Sequence, residues 1–172
     1  AHTISNSGPG FSGASAEHLN LLGHHPIVVF GAEEQKKRFL PPLIKGEDRA
    51  CFAVTEPDSG LNTMALKTEA VRDGDNYIIN GRKLWTTTAQ TANKILLITR
   101  TSAIDSGAPP GKSLTLFYTD LNRDRIEVRE IEKMGRGAVD SNSLFIDDLV
   151  VPVTDRIGEE GEGWKCLLHG IN

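Results

Sequence analysis

The spacing of apolar residues changes twice along this chain, and the two changes divide it into three stretches. Before residue 50 the spacing is helical. Ser15 suits an N-cap for a short helix carrying Ala16, Leu19 and Leu22, closed by Gly23. A second helix is predicted over Ala32 to Leu40, with Glu33 facing Lys37 and Glu34 facing Arg38 four residues on. Pro41-Pro42 stops it or starts another turn, and Gly46 ends the helical stretch. From Cys51 the pattern becomes that of short strands. Leu66 to Val71 and Tyr77 to Ile79 flank the hairpin-like Asp73-Gly74-Asp75-Asn76, and Asn80-Gly81 marks a further tight turn before Lys83 to Thr87. Ile95 to Thr99 is apolar on both faces, as a buried strand is, and Ser113 to Tyr118, Ile126 to Glu130 and Ser143 to Asp147 follow. Ala103 to Gly111, rich in Pro and Gly, reads as an exposed loop. After the polar glycine loop Gly158 to Gly163, helical spacing returns over Trp164 to Asn172.

Strands at this spacing without helices between them argue for an antiparallel sandwich or barrel. The fold class expected is therefore α+β, with an antiparallel β-barrel or sandwich in the middle and partial helical segments on either side. The domain division expected is 1–50 for the end of a helical domain, 51–160 for the β domain and 161–172 for the start of a second helical domain. With no initiating Met and a last helix that runs to the final residue, the chain reads as a piece of a longer one.

Composition narrows the function classes. Charged residues at 24% and apolar residues at 38% match a soluble globular chain. A net charge of -4 with scattered Lys and Arg gives no electrostatic reason to bind nucleic acid. The longest apolar runs, Ile27 to Phe30 and Ile95 to Ile98, are far too short to insert into a bilayer. Two cysteines, Cys51 and Cys166, make neither a zinc site nor a disulfide framework and fit a reducing compartment. Asp147-Asp148 and Glu159-Glu160 read as solvated faces, and no metal site is expected. His24-His25 precede Pro26 in a surface turn. Taken singly, Trp85 reads as a core aromatic and Glu56 as a solvated carboxylate at a strand end.

Taken in order, four segments say more. They are Phe30-Gly31-Ala32-Glu33-Glu34-Gln35-Lys36 through Leu40-Pro41-Pro42-Leu43, then Cys51-Phe52-Ala53-Val54-Thr55-Glu56-Pro57-Asp58-Ser59-Gly60, then Trp85-Thr86-Thr87. The fourth comprises Met134-Gly135, Leu144 to Pro152, and Gly158-Glu159-Glu160-Gly161-Glu162-Gly163-Trp164. In this order the chain resembles the acyl-CoA dehydrogenase family, whose β domain lies between two helical domains.

The resemblance implies FAD as cofactor, bound by Phe52, Ala53, Val54, Thr55, Gly60, Leu61, Trp85, Thr86 and Thr87. Val54 and Thr55 correspond to the backbone donors to the flavin ring, with the threonine hydroxyl beside them. Phe52 shares a strand face with Val54 and adds an apolar wall. Trp85 would cover one ring face while Thr87 donates to the ring nitrogen that takes the hydride. Leu61-Asn62 stands where the family commonly has Ser-Asp, so Leu61, the one substrate-binding candidate, lacks a hydroxyl for the phosphate and the pantetheine arm. Thr86-Thr87-Thr88-Ala89 likewise departs from the usual Ile-Thr-Asn-Gly.

The activity implied is α,β-dehydrogenation of an acyl-CoA to a trans-2-enoyl-CoA, as in fatty acid β-oxidation. Electron-transfer flavoprotein is the implied electron acceptor, and a homo-oligomer the implied assembly. The compartment implied is a bacterial cytoplasm or the mitochondrial matrix. No catalytic base is assigned, because the family's glutamate lies beyond Asn172, and these residues alone are expected to hold FAD weakly and to be inactive. Three alternatives stand beside this: a flavin oxidase or monooxygenase of the same fold, a non-catalytic β-domain binding module, and a structural β domain.

Overall fold

A computed structural model describes residues 24–103, 106–135 and 139–171, with the side chains of 110, 170 and 171 left out. The helix expected from Ser15 lies outside the described residues. In chain order the elements are α1 (24–30), α2 (Glu33–Ile44), β1 (Ala50–Ala53), β2 (Glu69–Asp73) and β3 (Asn76–Thr87). They continue with β4 (Lys94–Arg100), β5 (Leu114–Asp120), β6 (Ile126–Glu130), β7 (Ser141–Pro152), β8 (Arg156–Ile157) and α3 (Gly163–Ile171). One sheet of eight strands holds the order β6-β7-β3-β2-β4-β5-β8, with β1 beside β4. The sheet is not closed. Its ladders are antiparallel except β1 with β4 and the single pairing Glu69 with Arg100, which are parallel.

The central strand explains the layering. Every residue of β4 from Ile95 to Arg100 is buried, as its unbroken apolar run requires. Ile95 and Leu97 pack with Phe117, Tyr77, Ile79, Leu144 and Ile146 between the folded halves of the sheet. Leu96 and Ile98 face the other way, onto Ile27, Phe39, Tyr118 and Leu167, where the helices lie. Strand β1 splits between the same two cores: Cys51 and Ala53 point inward, while Ala50, Phe52 and Val54 face the helical layer.

Several sequence expectations change. His24-His25 belong to a helix rather than a turn, and the His25 ring stacks on His169 of α3 at 5.1 Å between centroids. Helix α2 runs through Pro41-Pro42 to Ile44 instead of stopping at Leu40. The expected i,i+4 pairs on it do not form. Glu33 instead accepts from Lys36 at 2.9 Å, and Arg38 reaches across to Asp155 at 2.6 Å. Gln35 fixes the start of the helix by accepting the Ala32 N–H at 2.9 Å and donating to the Thr154 and Arg156 carbonyls. Strand β7 runs on past Asp147 to Pro152.

The turn expected at Asn80-Gly81 is absent, and β3 passes straight through it. The tight turn between β2 and β3 is Gly74-Asp75, with Asp73 paired to Asn76. Gly81 is there because of crowding. A Cβ on it would stand 2.7 Å from the Cα of Thr68. Thr68 cannot retreat easily, since its carbonyl accepts the Arg100 N–H at 2.7 Å and its own N–H donates to Glu56 at 3.0 Å.

Gly81→Ala is therefore expected to destabilise the fold by about 1–3 kcal/mol, the usual range for overpacking. Chemical denaturation checks it, and an unchanged midpoint would show that the Thr68 segment yields freely.

Candidate functional site

Beyond Ala53, β1 leaves its ladder and becomes the polar turn that begins at Thr55. Two bonds tie this tail to β3. The Leu84 N–H donates to the Thr55 carbonyl at 2.8 Å, and Lys83 Nζ donates to the Val54 carbonyl at 3.0 Å. Lys83 is 0% exposed and also bonds Glu56 Oε1 at 2.9 Å. Glu56 is buried too, against the expectation of a solvated carboxylate, and accepts the N–H groups of Lys67 at 2.6 Å and Thr68 at 3.0 Å. Burial pushes the Glu56 pKa up, but the Lys83 charge and the hydrogen bonds from Thr68 and Lys67 outweigh it, so its carboxyl sits below the usual range. Burial pulls Lys83 down to about 8, with Glu56 opposing that fall. Removing either partner alone would strand a buried charge, at a cost of about 3–5 kcal/mol.

The second wall comes from the end of β3. Lys83 pairs with Leu144 and Thr86 with Asn142, so one extra residue bulges from β3 between them. Trp85 lies in the bulge with φ 60°, and Thr88 follows with φ 64°. A polar cluster built on the buried Asn142 holds the segment. Asp140 accepts the N–H groups of Thr88 and Gln90, both at 3.0 Å, and Asn142 Nδ2 donates to Asp140 at 2.6 Å and to the Thr86 carbonyl at 2.9 Å.

Between the two walls opens a cleft of about 200 Å³, lined by Phe52, Val54, Thr55, Trp85, Thr87 and Thr88 among others. Five of the residues expected from sequence meet there: Phe52, Val54, Thr55, Trp85 and Thr87. Ala53 does not; its side chain is buried in the inner core because it alternates with Val54. Thr86 turns away as well, since the bulge reverses the side-chain phase, and its buried Oγ1 finds no partner among the described residues. Gly60 and Leu61 lie outside the cleft on the open turn, with nothing within 4 Å of a Cβ on Gly60 and Leu61 fully exposed. Close approach thus imposes no glycine at position 60 within the chain itself. Trp85 is 55% exposed, so it is not the core aromatic that its type alone suggests.

Chemically the cleft offers donors beside a flat wall. Among the described residues, the Thr55 N–H and the hydroxyls of Thr55 and Thr87 make no hydrogen bond within the chain. The Trp85 indole lines the same space, on the strand that carries Thr87 and on the other wall from Thr55. That set suits a planar, electron-poor ring with acceptors along one edge. Sequence reasoning missed Lys83, Asp140 and Asn142. The signal for Lys83 was its phase, in step with Tyr77, Ile79 and Gly81, but breaking the strand at Asn80-Gly81 hid it. Elsewhere, a larger hollow of about 760 Å³ beneath Val28, Leu40 and Leu43 shares Thr88 with the cleft. The thiol of Cys51 is pushed up to about 12 by burial and is no nucleophile. Among the described residues no group of three His, Cys, Asp or Glu could hold a metal, and no helix is long and apolar enough to cross a membrane.

The sequence matches the family models for the acyl-CoA dehydrogenase middle domain over residues 51–149 and N-terminal domain over residues 1–47. It is 32% identical over 162 residues to acyl-CoA dehydrogenase FadE26 of Mycobacterium tuberculosis, covering 94% of this chain and 40% of that protein. The chain thus spans well under half the length of that curated relative. Its fold superimposes on the crystal structure of acyl-CoA dehydrogenase from Geobacillus kaustophilus with a TM-score of 0.86 at 33% identity, over 94% of this chain and 42% of that one. It superimposes equally on the prolyl acyl carrier protein oxidase AnaB, with a TM-score of 0.86 at 31% identity over 93% of this chain and 42% of that one. With more than half its residues inside the middle-domain match and relatives of over 30% identity, the chain belongs to the acyl-CoA dehydrogenase family.

Proposed function

We propose that this chain forms the flavin-holding part of an FAD-dependent acyl-CoA dehydrogenase. The observation that carries the reading is the cleft itself, which unpaired donors of Thr55 and Thr87 line together with the exposed indole of Trp85. The residues fit the cofactor. Val54 and Thr55 would offer backbone N–H groups to the pyrimidine edge, and Thr87 its hydroxyl to the central ring nitrogen. Trp85 would cover one face, and Phe52 would supply apolar wall. The open turn at Gly60 and Leu61 would take the phosphate end through backbone groups, since Leu61 brings no hydroxyl. Bound there, FAD supplies the two-electron acceptor for converting an acyl-CoA thioester to its trans-2-enoyl product.

The chain's own residues supply binding, orientation and exclusion of water. None is assigned as the base that removes the α-proton. Glu56, the carboxylate nearest the cleft in sequence, is buried and locked onto Lys83 and two backbone N–H groups, which hold it ionised as a structural partner. The division into a helical part at 1–50, the flavin domain at 51–160 and the start of a second helical domain at 161–172 belongs to this proposal. So do electron-transfer flavoprotein as acceptor and a homo-oligomeric whole protein. A second reading, a flavin oxidase, is favoured by the equal fit to the prolyl acyl carrier protein oxidase. Oxygen uptake during acyl turnover without an added electron acceptor separates the two.

Two substitutions in the full-length protein test the site. Thr87→Val is expected to weaken FAD binding about two- to tenfold, the net worth of one hydrogen bond, and to slow flavin reduction in stopped flow. Affinity and reduction rate both at the wild-type level would remove Thr87 from the site. Trp85→Ala separates a cofactor wall from a core residue: it should change stability by no more than about 0.5 kcal/mol while FAD affinity drops. A large fall in the unfolding midpoint with affinity intact would return Trp85 to a packing role.

A further inference from the structure

Lys83 is the one fully buried cation among the described residues, and one of its two bonds goes to the carbonyl of Val54. That carbonyl and the unpaired Thr55 N–H belong to the same peptide group. A cation on the oxygen draws electron density along the amide and makes its N–H a stronger donor. We propose that Lys83 is a positioning residue for the flavin: its ammonium fixes and polarises the Val54–Thr55 peptide so that the Thr55 N–H favours the reduced ring over the oxidised one. The inference rests on the flavin reading given above and goes beyond it by naming what tunes the donor.

The geometry leaves the ammonium little choice of partner. Glu56 is held by the Lys67 and Thr68 N–H groups, and it in turn holds Lys83 at 2.9 Å. With the Leu84 N–H bonded to the Thr55 carbonyl at 2.8 Å, the peptide plane is pinned on both sides of the donor. No water reaches Lys83 to screen it, since its side chain has no exposed surface. Negative charge gathers at the pyrimidine edge when the ring is reduced, so a polarised donor there acts more strongly on the reduced state. Burial lowers the Lys83 pKa to about 8, which leaves the ammonium charged in mildly acidic solution.

The test compares the wild-type full-length flavoprotein with the double variant Glu56→Gln with Lys83→Met at pH 6. The Lys83–Glu56 site carries no net charge in either protein, so no buried charge is stranded, and only the wild type sets a cation on the Val54 carbonyl. The double variant is expected to favour reduced over oxidised FAD about tenfold less. In potentiometry this is a midpoint about 30 mV lower for the two-electron couple. Equal midpoints in the wild type and the double variant, or an equal loss of affinity for oxidised and reduced FAD, would overturn the proposal, because a purely structural role does not distinguish oxidation states. Collapse of the double variant alone, seen by circular dichroism, would also overturn it by assigning Lys83 to folding. Failure of the wild-type protein to take up FAD at all would instead refute the flavin reading.

Discussion

A lysine with no exposed surface, bonded to one carboxylate and one backbone carbonyl, joins the two segments from which the cleft is made. Leaving the buried ammonium unpaired would cost about 3–5 kcal/mol, a large part of a typical folding free energy, so bringing Glu56 and Val54 to it strongly favours this arrangement. Glu56 cannot come alone. It brings the turn that follows β1, and its remaining oxygen capacity gathers the Lys67 and Thr68 N–H groups from the approach to β2. One ion pair therefore sets where three non-adjacent stretches meet. The cleft is the space left on the other side of that junction.

The position of the cleft follows from the way β1 divides its side chains. Strands β4 and β5 are buried on both faces, so the sheet folds over one side and accepts helices on the other. Strand β1 runs beside β4 and shares that two-sidedness, which sends Ala53 inward and leaves Phe52 and Val54 on the helical side. A cofactor wall made from β1 can only face the helical layer. This is why half of an alternating strand end serves the site while the other half serves the core.

Much of this was legible before any coordinates. The double-faced burial of β4 showed in its continuous apolar run, and the Gly74 hairpin showed in its turn residues. The pairing of Thr55 with Trp85 and Thr87 across a cleft was readable through family resemblance; periodicity alone would have placed Trp85 in a core. What escaped was polar and non-local. Glu56 looks solvated in sequence because its partner is 27 residues away. Asn80-Gly81 carries the composition of a turn, yet Gly81 answers to Thr68 across the sheet. Local residue types report local geometry, and these positions are governed by contacts that the sequence does not order. The bulge that flips Thr86 away is of the same kind, since only the register with β7 reveals it.

The bulge also bears on function through strain. Trp85 at φ 60° and Thr88 at φ 64° both occupy the left-handed region, which costs a residue with a Cβ roughly 1–2 kcal/mol. For a β-branched threonine and a bulky tryptophan three positions apart, such strain survives only where surrounding contacts over-determine the backbone. Asp140 and Asn142 do so. Their carboxylate and amide take the Thr88 and Gln90 N–H groups and the Thr86 carbonyl, so relaxing the turn would break the buried bond between Asn142 and the Thr86 carbonyl. The result is a tryptophan held out into the cleft by a polar network rather than allowed to pack into the core. A fold serving only its own stability would gain by burying that indole. This chain keeps it strained and over half exposed beside unpaired donors, which is the surface that the flavin site proposed above requires.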